Sequence, residues 1–322
     1  MTILGADIGG TKTLIGLAQY DNSGWQLCAQ QRYSNQDYAS ADTLIREFIA
    51  DHDIPDTAAL AVAGPVNTSG FHTTARLTNL DWALSSQSLQ TQTGVGTVEL
   101  INDFVALGYS LPLMQDDDLL TLQTGHPNPA APMALLGAGT GLGQALVINN
   151  SGQTCVYPSE GGHVDFAPQS QQQIELYQFL AEQYGHVSVE RLLSGPGLEN
   201  IYRFLSAGSS LPAAEISQAG VAKPDSLQGQ ALSLFASIYG AQAGNVALNY
   251  MPGAGLFLAG GVTAKLAHYL GKSKFVDSFL DKGRFGDYLG HIPIHIIRSE
   301  SAGLTGALQR AWLLAQAVKK HE

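Results

Sequence analysis

Two stretches of this chain, far apart in sequence, are closed by the same kind of turn. Leu4-Gly-Ala-Asp-Ile-Gly-Gly-Thr11 and Leu136-Gly-Ala-Gly-Thr-Gly-Leu-Gly143 each carry a Leu-Gly-Ala strand end into a Gly/Thr turn. An apolar run leads back out of each turn, to Ala18 and to Ile148, so each reads as a β-hairpin with a glycine-rich tip. A chain with 36 glycines in 322 residues can produce such an echo by chance. The other reading is two related α/β domains facing a shared ligand, and a length of about two ordinary domains of ~150 residues admits it.

Composition narrows the classes. Hydrophobic residues make up 45% and charged residues 13%, which supports a sizeable core and excludes disorder. Sixteen basic against 27 acidic residues leave a net charge of -11, which argues against a nucleic-acid or anionic-membrane surface. Two cysteines, Cys28 and Cys155, are too few for a disulfide framework or a four-thiolate zinc site. The amino terminus lacks the basic region and apolar run of a secretory signal. From Leu119 to Ser159 no charged residue occurs, yet Pro127, Pro129, Pro132 and four alternating glycines are unsuited to a membrane span. A cytoplasmic protein in a reducing compartment is expected.

Along the chain, strands and helices alternate, the mark of an α/β architecture. Leu44, Ile45, Phe48 and Ile49 share one face of a helix over 41–49, and buried strands are expected at Ala58–Ala63 and Thr97–Ile101. Asp116–Asp118 and the Pro-rich stretch 127–132 look like a boundary. Beyond it, helices are expected at Gln171–Tyr184, Ser188–Leu193, Leu198–Leu205, Gly229–Tyr250 and Leu304–Val318, with strands at Gly255–Ala259 and Ile292–Ile297. Ala207–Pro224, rich in Ser, Ala and Pro, reads as a surface loop.

Six segments have residues suited to chemistry, and most have a purely structural alternative. Asp7-Ile-Gly-Gly-Thr-Lys-Thr13 brings an acid and bare backbone N–H groups to a tip, suited to phosphate and Mg²⁺, or is simply a tight hairpin. Gly137–Gly143 lacks the third glycine of the Rossmann fingerprint and runs into a strand, which leaves a second phosphate hairpin as the better reading. Asp103, after Asn102 at a strand's carboxyl end, could take a proton from an alcohol or cap the next helix. Ser159–Phe166 holds Glu160, His163 and Asp165 around a Gly-Gly turn. It fits vicinal hydroxyls better than a metal, or is a polar surface turn. Glu190 is either a further ligand or a first-turn acid facing a helix dipole. Gly260-Gly261 follows a strand and could seat a nucleoside or form an ordinary β–α junction.

Taken together the motifs resemble bacterial glucokinase. Asp7-Ile-Gly-Gly-Thr11, Ile101-Asn-Asp-Phe104, Gly137–Gly143 and Ser159-Glu-Gly-Gly-His-Val-Asp-Phe-Ala-Pro168 look like signatures of that family. His186–Leu198, Ala259-Gly-Gly-Val262 and Asp281-Lys-Gly-Arg-Phe285 continue the likeness in family order, from residue 4 to about 307. The resemblance implies the hexokinase/actin-like (ribonuclease H-like) α/β fold, with a small domain over 1–112 plus 300–322 and a large one over 113–299 around a cleft. It implies ATP-dependent phosphorylation of glucose to glucose 6-phosphate, with ATP and Mg²⁺ as cofactors, in a homodimer. Phosphate loops would be Ala6, Asp7, Ile8, Gly9, Gly10, Thr11 and Gly139, Thr140, Gly141, with Asp7 on the metal and adenosine beside Gly260 and Gly261. Sugar contacts fall to Asn102, Asp103, Glu160, His163 and Glu190, with Asp103 as general base, and the loop Thr78–Trp82 would border the sugar. A kinase for another hexose and a non-catalytic sugar sensor on the same fold are the alternatives.

Overall fold

In the computed structural model, residues 1–77, 80–150 and 153–319 are described. The chain divides into two compact units: Met1–Met114 with Ser151–Val156 and Ser299–Glu322, and Gln115–Asn150 with Tyr157–Arg298.

Unit 1 is built on five strands in the order β3-β2-β1-β4-β8. Strands β1 (Thr2–Ile8), β2 (Lys12–Tyr20) and β3 (Trp25–Ser34) form an antiparallel meander. Helix α1 (Ala41–Ile49) carries the chain to β4 (Thr57–Val62), which pairs in parallel with β1. A small sheet of β5 (Val66–Ser69), β6 (His72–Arg76) and β7 (Ala83–Ser85) follows. Then α2 (Ser86–Thr93) leads to β8 (Thr97–Asn102), parallel to β4, and on to α3 (Asp103–Ser110). Alternate residues of a strand face opposite sides, so β1 buries Leu4, Ala6 and Ile8 with Leu44, Ile45 and Phe48 of α1. Its other face sets Ile3 beside Leu304, Leu308 and Ala311 of a C-terminal helix, Ala302–Lys319.

A second sheet has six strands in the order β12-β11-β10-β13-β14-β9, and unit 2 supplies all of them except the first part of β12. They are β9 (Leu119–Gln123), β10 (Met133–Ala138), β11 (Leu142–Asn150), β12 (Gln153–Ser159), β13 (Gly255–Ala259) and β14 (Ile294–Ile297). Helices α4 (Gln171–Tyr184), α5 (Gly195–Leu205), α6 (Ala213–Ala222) and α7 (Leu227–Tyr250) lie between β12 and β13, and α8 (Gly261–Lys265) follows β13. Helix α7 is apolar on nearly every side because it runs through the core, where Leu232, Phe235 and Tyr239 are fully buried. The Tyr239 hydroxyl bonds the Thr263 hydroxyl at 2.9 Å, so its polar end is satisfied.

The echo in the sequence is therefore a repeat in topology. Strand β10 pairs antiparallel with β11 and parallel with β13, as β1 does with β2 and β4. Two sequence expectations are corrected. Residues 207–224 are not a loop throughout, because Ala213–Ala222 is helical, and Ser188–Leu193 shrinks to a 3₁₀ turn over Val189–Arg191.

Candidate active site

In unit 1 the parallel strands align their carboxyl ends. Asp7 of β1 is level with Ala61 of β4, which is level with Ile101 of β8, and Asp103 stands two residues beyond. Burial, with the Asp103 charge as the lesser cause, pushes the Asp7 carboxyl up to about 6. The Asp7 carboxylate also lies against Gly303 in the first turn of the C-terminal helix, in space that a Cβ there would occupy. Asp103 reaches solvent, but the protein around it strips enough hydration to raise its pKa, with hydrogen bonds from the Phe104 N–H and Asn102 opposing the rise.

The helix cap is not Asp103. Asn102 occupies the N-cap position of α3, where its Oδ1 accepts the Phe104 N–H at 2.9 Å and the Val105 N–H at 3.4 Å. Its Nδ2 donates to the Gly64 carbonyl at 3.1 Å. One amide thus ties β8, α3 and the end of β4 together, and Asp103 Oδ1 shares only the Phe104 N–H, at 2.9 Å.

The glycine-rich tip of unit 1 is closed by Gly9 N–H donating to the Lys12 carbonyl at 3.0 Å. Ala6 and Ile8 point into the core, so only their backbone is open to a ligand. Sequence reasoning missed the residue that braces this tip. Asn35, just past β3, is 1% exposed. It donates to the Gly9 carbonyl at 2.8 Å, accepts from the Thr13 hydroxyl at 2.7 Å, and its N–H reaches the Thr11 carbonyl at 2.9 Å. No local pattern marks Asn35, since its partners lie more than twenty residues away. Of the loop expected to border the sugar, Thr78 and Asn79 lie outside the described residues, Trp82 is buried in the unit 1 core and Asp81 is exposed.

In unit 2 the parallel pairing of β10 with β13 brings two glycine segments together. Gly137 is level with Ala259, and a Cβ on Gly139 would lie 3.7 Å from the Gly261 nitrogen. Gly260 takes a φ of 92° and Gly261 opens α8, so both present backbone to solvent.

Glu160 and His163 flank the Gly161-Gly162 turn as an exposed pair, with His163 Nε2 3.8 Å from Glu160 Oε2. The segment after them runs beside the one that carries Glu190. Phe166 N–H donates to the Val187 carbonyl and Val189 N–H to the Val164 carbonyl, both at 3.0 Å. His186 Nε2 lies 2.8 Å from Asp165 Oδ1. Glu190 itself bonds elsewhere, to the second glycine tip: its Oε2 accepts the Leu142 N–H at 2.8 Å. Among the described residues no three His, Cys, Asp or Glu side chains converge to hold a metal ion, and no helix is long and apolar enough to cross a membrane.

Two glycine-tipped sheets of matching topology, with carboxylates near their strand ends, give the two-unit α/β architecture of the hexokinase-like fold. A glucokinase from an Antarctic psychrotroph superimposes with a TM-score of 0.88 at 29% identity, covering 97% of this chain and 99% of that one. A Balamuthia mandrillaris glucokinase, solved in complex with glucose, shares the fold with a TM-score of 0.75 at 21% identity, covering 97% of this chain and 93% of that one. In sequence, the glucokinase family pattern matches residues 4–313. The glucokinase of Nostoc sp. is 39% identical over 95% of this chain and 97% of its own length. The chain belongs to the glucokinase family.

Proposed function

We propose that this chain transfers the terminal phosphoryl group of ATP to the 6-hydroxyl of D-glucose, the entry step of glycolysis, as a cytoplasmic homodimer. The observation that carries the chemistry is Asp103: a carboxylate just past a strand's carboxyl end, raised in pKa, beside a helix whose N-cap is Asn102. Such a group is suited to general-base catalysis. Asp103 accepts the 6-hydroxyl proton as that oxygen bonds to the γ-phosphorus. The bond from phosphorus to the bridging β-phosphate oxygen breaks, and its electron pair leaves with ADP.

Phosphoryl transfer passes through a loose transition state, so the remaining residues position and neutralise. In unit 1, backbone from Ala6 to Thr11 and the Asp7 carboxylate serve the phosphates and Mg²⁺, and Asn102 joins Asp103 at the sugar. In unit 2, Gly139–Gly141 take phosphate, Gly260-Gly261 the adenosine, and Glu160, His163 and Glu190 the sugar hydroxyls. Mg²⁺ bound with the nucleotide supplies charge neutralisation. The residues fit it, because Asp7 is held near pKa 6 first by burial and then by the charge of Asp103, and a divalent cation relieves the second of these.

The test is a coupled ADP assay with Mg²⁺-ATP and a panel of hexoses. Glucose should turn over far better than fructose or galactose. Glucose-dependent ADP no higher than the ATPase background would overturn the proposal.

A further inference from the structure

The hydrogen bond from Leu142 to Glu190 joins two parts of unit 2 with different assigned tasks. Oε2 of Glu190 accepts the Leu142 N–H at 2.8 Å, directly behind the Gly139–Gly141 tip. The same tip is also held by the Gly195 N–H, which donates to the Gly139 carbonyl at 2.8 Å. Between these contacts the Ser194 hydroxyl donates to the Glu190 carbonyl at 2.9 Å, which fixes the short segment from Glu190 to the start of α5.

Gly141 shows what the tip is shaped around. Its φ lies outside the left-handed region, so its backbone would accept any residue. A Cβ there, however, would stand 2.6 Å from Glu190 Oε2, closer than such atoms approach. The glycine makes room for the carboxylate.

We propose that Glu190 is a positioning residue that couples the sugar to the nucleotide phosphates. The inference rests on the reading that Glu190 meets sugar hydroxyls and that Gly139–Gly141 meet phosphate. A carboxylate has about four acceptor sites, and the Leu142 N–H uses one. Hydroxyls that donate to the others confine the half-exposed side chain, so the cost of ordering it is met before the nucleotide arrives. The tip then receives phosphate in a set geometry. By linkage, nucleotide must tighten sugar binding by the same factor as sugar tightens nucleotide.

The experiment is calorimetry of glucose binding, with and without a non-hydrolysable ATP analogue and Mg²⁺. The wild-type protein should bind glucose at least ~5-fold more tightly with the analogue present, the lower end of ordinary coupling. Gly141→Ala displaces the Glu190 carboxylate without straining the backbone, and the coupling should fall below ~2-fold, outside that range. Glu190→Asp keeps the charge but withdraws it by one methylene, and should lose the coupling too even where Gly141→Ala fails to fold. Wild-type coupling in either variant overturns the proposal. Glucose binding without coupling in the wild-type protein overturns it while leaving the kinase assignment intact. No glucose binding at all overturns both.

Discussion

The side chain of Asn102 does what its neighbour Asp103 was the obvious candidate to do. It caps α3 by accepting the Phe104 N–H at 2.9 Å, and it ties the cap to the Gly64 carbonyl. The two adjacent residues therefore carry different loads on the fold, and substitutions at each should differ in their effect on stability.

Asp103→Asn removes the proton acceptor and leaves the cap in place. General-base catalysis contributes roughly 10²–10⁴-fold, so kcat should drop at least ~100-fold. Melting temperature and glucose affinity should stay near wild type. A variant that keeps more than about a tenth of its kcat would place the base elsewhere.

Asn102→Ala should do the opposite to stability. Loss of an N-cap side chain costs about 0.5–2 kcal/mol, and Asn102→Asp, which caps as well, should recover most of it. Denaturant titration of the three proteins reads this directly. Equal stability of Asn102→Ala and wild type would show that the cap is idle.

Asp7 carries a pH dependence whose sign is fixed by its raised pKa. Its folded value of about 6 exceeds the ordinary 3.8, so the fold favours the protonated form. That contribution is full below pH 4 and is lost as pH rises through 6. Without Mg²⁺ and nucleotide, Asp7→Asn should therefore be more stable than wild type at pH 8, by about 1–3 kcal/mol. The gain should vanish near pH 4, and turnover should fall at every pH. Melting curves from pH 4 to 8 check this; a variant no more stable at pH 8 would mean that ionised Asp7 is well stabilised, for instance by the helix start at Gly303.

Asn35→Ala should loosen the first glycine tip from behind. Each buried group left unpaired costs about 1–3 kcal/mol, and Thr13 and Gly9 both lose a partner. The KM for ATP should rise more than the KM for glucose, because the damage is local to the tip. Steady-state kinetics varying each substrate in turn would reveal an equal rise in both, the outcome that contradicts a nucleotide-specific brace.

The sheets were legible because strong local patterns coincide with their topology. Gly255–Ala259 and Gln171–Tyr184 fall where apolar runs and turn residues put them. Helix α6 was hidden because Ser209, Ser210, Pro212 and Pro224 dominate the composition around it. Its inner face offers only Ile216 and Gly220 as buried residues, too few to show a helical period. The 3₁₀ turn at Val189–Arg191 imitates a helix start, with Ser188 at its head, but its Ser188 side chain makes no capping bond. In the candidate site, residue types single out Asp103 and Glu160 for testing, whereas Asn35 and the Leu142–Glu190 bond depend on partners brought in by distant chain. Such pairings leave no trace in local sequence.

The return of the last helix to the first sheet also orders events during synthesis. One face of β1 is sheltered by Leu304, Leu308 and Ala311. Those residues follow the second unit in the chain, so the amino-terminal sheet waits through the making of that whole unit with its apolar face bare. Most of the second unit's own strands and helices, by contrast, are complete once Arg298 has emerged. The later-made unit can close first, and the earlier one stays exposed to aggregation until the helix Ala302–Lys319 has emerged.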